Sequence, residues 1–213
     1  MKIYNHNTPA YRLKAPTARN LRNGAYFYSK EICDNILPLI RTERPIVTIN
    51  DRVSCEDDAI VFIHNNIHPE NYEWMAAYKN LILVCGVPDT CQKVEHLGKT
   101  IYLPLSVDVG YVKQFANRKI YDIAFAGRRS KANGYTFEKG TVYLSGMNRE
   151  LLLSQMAKFK RIYAVGRCAI EAKILGCEIL PYDERFPDPN FWQVIDNKDA
   201  ARILQEKLDE IDN

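Results

Sequence analysis

Arg128 and Lys131, three residues apart at the end of the apolar run in Phe125-Ala-Gly-Arg-Arg-Ser-Lys131, are the side chains here best equipped for chemistry. A guanidinium fork and an ammonium point charge both suit phosphate oxygens, and Gly127 lets the backbone approach a ligand. A solvated basic turn is the plainer reading of the same residues. A second candidate is Ala164-Val-Gly166-Arg-Cys-Ala-Ile-Glu171, where Gly166 ends another apolar run and Glu171 falls in the first turns of a short helix. An ionised carboxylate on a rigid element can accept both hydroxyls of a ribose, and the helix start favours an anion. An ordinary exposed helix glutamate fits the spacing too.

Two further places are weaker. Asn20-Leu-Arg-Asn-Gly24 is a glycine loop ahead of a helix, without the GxGxxG of dinucleotide folds or the GxxxxGK[ST] of P-loops. Phe62-Ile-His64-Asn-Asn-Ile-His68-Pro69 puts His64 at a strand end, where an imidazole could act as general base or hold a substrate hydroxyl. His64 and His68 have the spacing of a metal pair on a helix, but Pro69 spoils the shared face, and structural or capping histidines are the alternative. No GxSxG elbow or HExxH helix occurs. Six cysteines, mostly inside apolar runs and without a CxxC pair, read as reduced core residues, so no metal is expected.

The elements that must position these residues alternate along the chain. Strands are expected at Met1 to Tyr4, Ile46 to Asn50, Ala59 to His64, Leu81 to Cys85, Ile101 to Leu105, Tyr121 to Ala126, Val142 to Ser145, Arg161 to Ala164 and Glu178 to Pro181. Helical patterns lie between them, which is the order of an α/β protein with parallel sheets. One helix should follow Ser29 and end near Pro38, and another should be capped by Asp89 and closed by Gly98. Asn148 should cap a helix with Leu152, Met156 and Phe159 on one face. A tail helix should open at Asp196 and bury Ala200, Leu204, Leu208 and Ile211. The stretch 106–119 loses the alternation and reads as a linker between halves.

In 213 residues, 46% hydrophobic and 26% charged, a globular chain of one or two domains is expected rather than a disordered or fibrous one. The net charge of +3 is too small to indicate nucleic-acid binding, so any anion site must be local. No apolar run has the length of a membrane span and the start lacks a signal core, so a cytoplasmic protein is expected.

The order of motifs resembles a GT-B type glycosyltransferase of the retaining group. Ile101-Tyr-Leu-Pro-Leu-Ser-Val-Asp108 is similar to the family's strand and Pro-x-x-Val-Asp turn at the domain junction. Tyr121-Asp-Ile-Ala-Phe-Ala-Gly-Arg128 resembles the first strand of the nucleotide-sugar domain, and Val142-Tyr-Leu-Ser-Gly146 its strand-Gly-helix unit. Ile170-Glu-Ala-Lys-Ile-Leu-Gly-Cys-Glu-Ile-Leu180 resembles the family's Glu-Ala-x-x-x-Gly-x-x-Val-Ile element.

The resemblance implies two Rossmann-like parallel-sheet halves facing across a cleft: an acceptor-side domain over 1–105, the linker, and a nucleotide-sugar-binding domain with a C-terminal helix over 120–213. It implies Arg128 and Lys131 on the donor diphosphate, with Gly127 and Gly166 in the same site, and Glu171 on the ribose. His64 falls near the catalytic histidine by strand order, and Gly24 corresponds to the N-terminal glycine loop. The position eight before Glu171 is Tyr163, where retaining members often carry a second glutamate. The resulting expectation is sugar transfer from a nucleotide-sugar substrate to an unknown acceptor, without a separate cofactor. The alternatives are a non-catalytic nucleotide- or nucleotide-sugar-binding module and a Rossmann-like interaction protein.

Overall fold

The computed structural model describes residues 2–5, 24–41, 59–63, 75–76 and 78–212. Its strands form two parallel four-stranded sheets, and the chain divides into two compact units, Met1–Pro104 with Lys198–Asn213, and Leu105–Asn197.

In the first unit, β1 (Lys2–Asn5), β2 (Ala59–Ile63), β3 (Leu81–Cys85) and β4 (Lys99–Tyr102) pair in sequence order. The runs AIVFI and LILVC are continuously apolar because both faces of a parallel sheet are covered. Ile60 to Ile63 and Leu81 to Cys85 are all buried. Val61, Ile63, Leu83 and Cys85 share a core with Met75 and Val94. The expected strand at Ile46 to Asn50 lies outside the described residues.

Helix α1 (Gly24–Glu31) starts five residues before Ser29 and gives way to a π-turn, Ile32–Ile36, then a 3₁₀ turn, Leu37–Leu39. Pro38 sits in that last turn, where its missing N–H and fixed φ stop a regular helix. Helix α2 (Pro88–Val94) begins on its proline, so Asp89 is not the cap; it lies in the first turn and pairs with Lys93 at 2.7 Å. Gly98 follows with extended backbone rather than a left-handed cap. It is glycine for another reason: a Cβ there would stand 2.5 Å from the Leu81 carbonyl oxygen.

The second unit contains β5 (Tyr121–Ala126), β6 (Val142–Leu144), β7 (Phe159–Tyr163) and β8 (Glu178–Leu180), in the order β6-β5-β7-β8. The segment expected as a linker is part of this unit. It holds α3 (Val109–Lys113), whose cap Asp108 accepts from the Tyr111 N–H at 2.8 Å. Val107 bridges to Asp196, and the Ser106 hydroxyl donates to Asn197.

Asn148 caps α4 (Arg149–Met156), but the buried face is Leu153 and Met156 rather than Leu152. Phe159 belongs to β7, which starts two residues earlier than expected. Helix α5 (Arg167–Ile174) follows β7 after Gly166, whose φ of 65° is a left-handed conformation suited to glycine. The last helix, α6 (Asn197–Asp212), buries Ala200, Ala201, Leu204 and Leu208, whereas Ile211 is only half-buried. All but its first residue belong to the first unit, where Gln205 accepts from the Arg41 N–H at 2.8 Å. The second unit therefore ends at Asn197 and not at the chain end.

Candidate functional site

The strand order of the second unit selects a place for a ligand. From β5 the chain moves to β6 on one side, and from β7 it moves to β8 on the other. Connections that leave neighbouring strands in opposite directions open a crevice at their carboxyl ends, where open parallel sheets hold ligands. Gly127 and Arg128 follow β5, and Gly166 and Arg167 follow β7, so two of the segments singled out by residue type meet at this switch point.

The loop carrying Arg128 and Lys131 is fastened to the sheet. The Arg129 N–H donates to the Ser145 hydroxyl at 3.1 Å, and the Lys131 N–H closes a turn on the Arg128 carbonyl at 2.9 Å. Further along, the Phe137 ring packs on Phe125 and Tyr163, with centroids at 5.2 and 4.8 Å. Phe125 is in register with Tyr143 and Tyr163, so these rings form a row across three strands. Glu138 then accepts from both terminal nitrogens of Arg161 at 3.0 and 3.1 Å and from the Tyr163 hydroxyl at 3.2 Å. The hydrogen bonds to Arg161 hold the Asp122 carboxyl below its ordinary pKa.

Arg128 and Lys131 are exposed. Burial nevertheless lowers the Lys131 pKa, and the charges of Arg128 and Arg185 lower it further, while Cys168 and Asp183 act in the opposite sense. Lys131 is thus reachable by water, yet surrounded by protein and by other cations.

Glu171 has a different setting from the one expected. It is only 2% exposed, and its Oε1 accepts from Arg167 Nε at 2.8 Å while lying 3.0 Å from Arg149 Nη2. The two guanidiniums are themselves nearly buried, at 12% and 11% side-chain exposure. Arg149 also stacks on the Tyr111 ring of α3, 5.2 Å from its centroid. Beside them, burial and then the Glu171 charge push the Cys168 thiol up to about 12, so it is no nucleophile at neutral pH.

Arg149, Arg167, Asp183 and Arg185 are members of this cluster that residue type and spacing did not single out. Arg149 and Arg167 are the first residues of α4 and α5. Cations there oppose the positive end of the helix dipole, at a cost of about 0.3–1 kcal/mol each. That misplaced charge was the signal available in the sequence. Asp183, 5% exposed and just beyond β8, takes a bidentate fork from Arg185 at 2.9 and 2.6 Å, and those bonds hold its pKa below the ordinary value.

The remaining candidates are not brought to this place by anything described. His64, directly after β2, and His68 lie outside the described residues. Gly24 is the first residue of α1 rather than part of a loop ahead of it. Among the described residues no group of three or more His, Cys, Asp or Glu side chains could hold a metal, and no helix is long and apolar enough to cross a membrane. No protein-family model, curated protein or solved structure matches this chain.

Proposed function

We propose that this chain is a glycosyltransferase-like protein of GT-B type that binds a nucleotide-sugar through its diphosphate at the switch point of the second unit and transfers the sugar to an acceptor. The observation that carries this reading is the gathering of Arg128, Lys131, Arg149, Arg167 and Arg185 at one end of one parallel sheet in a chain whose net charge is only +3. Fixed cations at that place offset the charge that develops on a departing nucleoside diphosphate. No step needs a cofactor, because the nucleotide-sugar is itself the substrate. His64 remains the residue proposed to act as base or to position the sugar, on strand order alone.

A second reading, nucleotide-sugar binding without transfer, is favoured by one observation. The hydroxyl of Tyr163, where retaining enzymes often carry a carboxylate, donates to Glu138 of the loop between β5 and β6.

A thermal-shift panel of UDP-, GDP- and ADP-linked sugars tests the site, because a ligand bound only by the native state raises apparent stability. At least one compound is expected to raise Tm, and Arg128→Ala or Lys131→Ala to remove most of that shift while leaving the unliganded Tm within a few degrees. No shift from any compound contradicts the reading. Where binding is seen, release of free nucleoside diphosphate from the sugar-linked form separates the enzyme from the binding module.

A further inference from the structure

Cys85 is the last residue of β3 and Cys91 lies within α2, with only Gly86-Val-Pro-Asp-Thr90 between them. That short connection is tied down along its length. The Cys85 carbonyl accepts from the Leu103 N–H at 3.0 Å, and the Gly86 N–H donates to the Ile63 carbonyl at 3.0 Å. The Thr90 and Cys91 N–H groups both donate to the Val87 carbonyl, at 3.1 and 3.4 Å, and Pro88 fixes φ where the chain enters the helix. Cys91 thus packs on the core cluster that contains Cys85, and a hydrogen bond joins the two thiols. Both cysteines are free.

We propose that Cys85 and Cys91 are a modification site, a dithiol that a peroxide closes to an intramolecular disulfide and a small thiol reductant reopens. This goes beyond the nucleotide reading and does not depend on it.

The two sulfurs differ in a way that sets the order of events. Cys85 is wholly buried, whereas Cys91 is partly exposed and is the one that a reagent in water reaches. Burial raises the pKa of both thiols; the Cys91 charge and then the shared hydrogen bond raise Cys85 further, while the same bond acts to lower Cys91. Cys91 is therefore the attacking sulfur. Its thiolate attacks one peroxide oxygen, the O–O bond breaks, Cys91 becomes a sulfenic acid, and the other oxygen leaves as hydroxide and is protonated to water. The Cys85 sulfur then attacks the Cys91 sulfur: the S–S bond forms, the S–O bond breaks, and the departing hydroxide leaves with the Cys85 proton as water. Two thiols and one peroxide give one disulfide and two waters, the sulfurs being oxidised and the peroxide oxygens reduced. Because burial keeps the thiolate scarce, closure is slower at neutral pH than oxidation of an exposed thiol.

Hydrogen peroxide tests the pair in the full chain, with glutathione at the same exposure as a reference thiol. After the peroxide is removed, the protein is unfolded, alkylated with N-ethylmaleimide and cut with trypsin, which leaves both cysteines in the one peptide Asn80 to Lys93. Once the reference thiol is fully oxidised, that peptide is expected to carry no alkyl group and to be lighter by two hydrogen atoms than its reduced form. Dithiothreitol before alkylation should restore two alkyl groups. Two alkylated thiols in the oxidised sample overturn the proposal. So do a Cys91 sulfinic acid beside an alkylated Cys85, or a link from either cysteine to another peptide. The order of attack has its own arm, which uses substitutions to alanine. In Cys85→Ala the Cys91 sulfenic acid should persist and be trapped by dimedone, whereas Cys85 in Cys91→Ala should stay alkylatable after the same exposure. Faster oxidation of Cys85 than of Cys91 in these two variants overturns that order, and the wild-type mass measurement stands without either variant.

Discussion

At the scale of single residues, Lys131 and Glu171 were both chosen for their chemical type, and their surroundings gave them different work. Lys131 keeps its accessibility but not its ordinary basicity, because burial and then neighbouring guanidiniums disfavour its charged form. A bound anion favours the charged form, so binding takes up a proton at those pH values where Lys131 is neutral in the free protein. Pyrophosphate affinity is therefore highest below the lowered Lys131 pKa of the free protein and falls as pH rises through it, beginning below the ordinary lysine range. Titration across alkaline pH should show this fall in wild type and a flatter profile in Lys131→Met; superimposable profiles would remove Lys131 from the site. For Glu171, residue type and helical position were legible, but its burial was not. That depends on Arg149, which is 22 residues away in sequence and reaches it only through the packing of α4 against α5.

At the scale of elements, the 127–141 loop connects β5 to β6 without an α-helix and covers the sheet with side chains instead. Phe137 inserts among Phe125, Tyr143, Tyr163 and Tyr182, and Glu138 grips Arg161. This anchoring holds the Arg128 to Lys131 turn in place before any ligand arrives, which lowers the ordering cost of binding. Phe137→Ala is expected to cost about 1–3 kcal/mol, less than a fully buried phenylalanine because Phe137 is partly exposed. The same variant should weaken pyrophosphate severalfold. Denaturant unfolding and titration read the two effects, and a destabilised variant with unaltered affinity would show that the loop anchor does not serve the site.

Two strands of the first sheet could be read from continuous apolar runs, because AIVFI and LILVC announce a sheet covered on both faces, and the buried IAFA end of YDIAFA marks a third strand in the second sheet. Element ends were harder. Pro88 takes the start of α2 from Asp89, and β7 begins at Phe159, whose ring packs on Tyr121 across the sheet. The first is a local preference that competes with a capping pattern; the second is a tertiary contact that no helical periodicity contains.

At the scale of the whole molecule, alternation along the sequence foretold two parallel sheets, and each is present. The segment 106–119 had the composition of a linker, yet Asp108 caps a helix there and the Val107 N–H donates to the Ile195 carbonyl at 3.1 Å, so it is built into the second unit. The stripe of α6 was evident in sequence, but not the unit it serves, because an amphipathic helix specifies an apolar face without naming its partner. The nearly balanced charge of the chain likewise concealed how much positive charge its fold gathers at the ends of β5 and β7.

Backbone amide NMR during a titration with UDP, GDP and ADP tests most directly whether that gathered charge binds a nucleotide. At least one of them is expected to shift the amides of residues 127–131, 149–151 and 166–168 together, at a common apparent affinity. Shifts confined to other parts of the chain, or no saturable shift with any of the three, would contradict it.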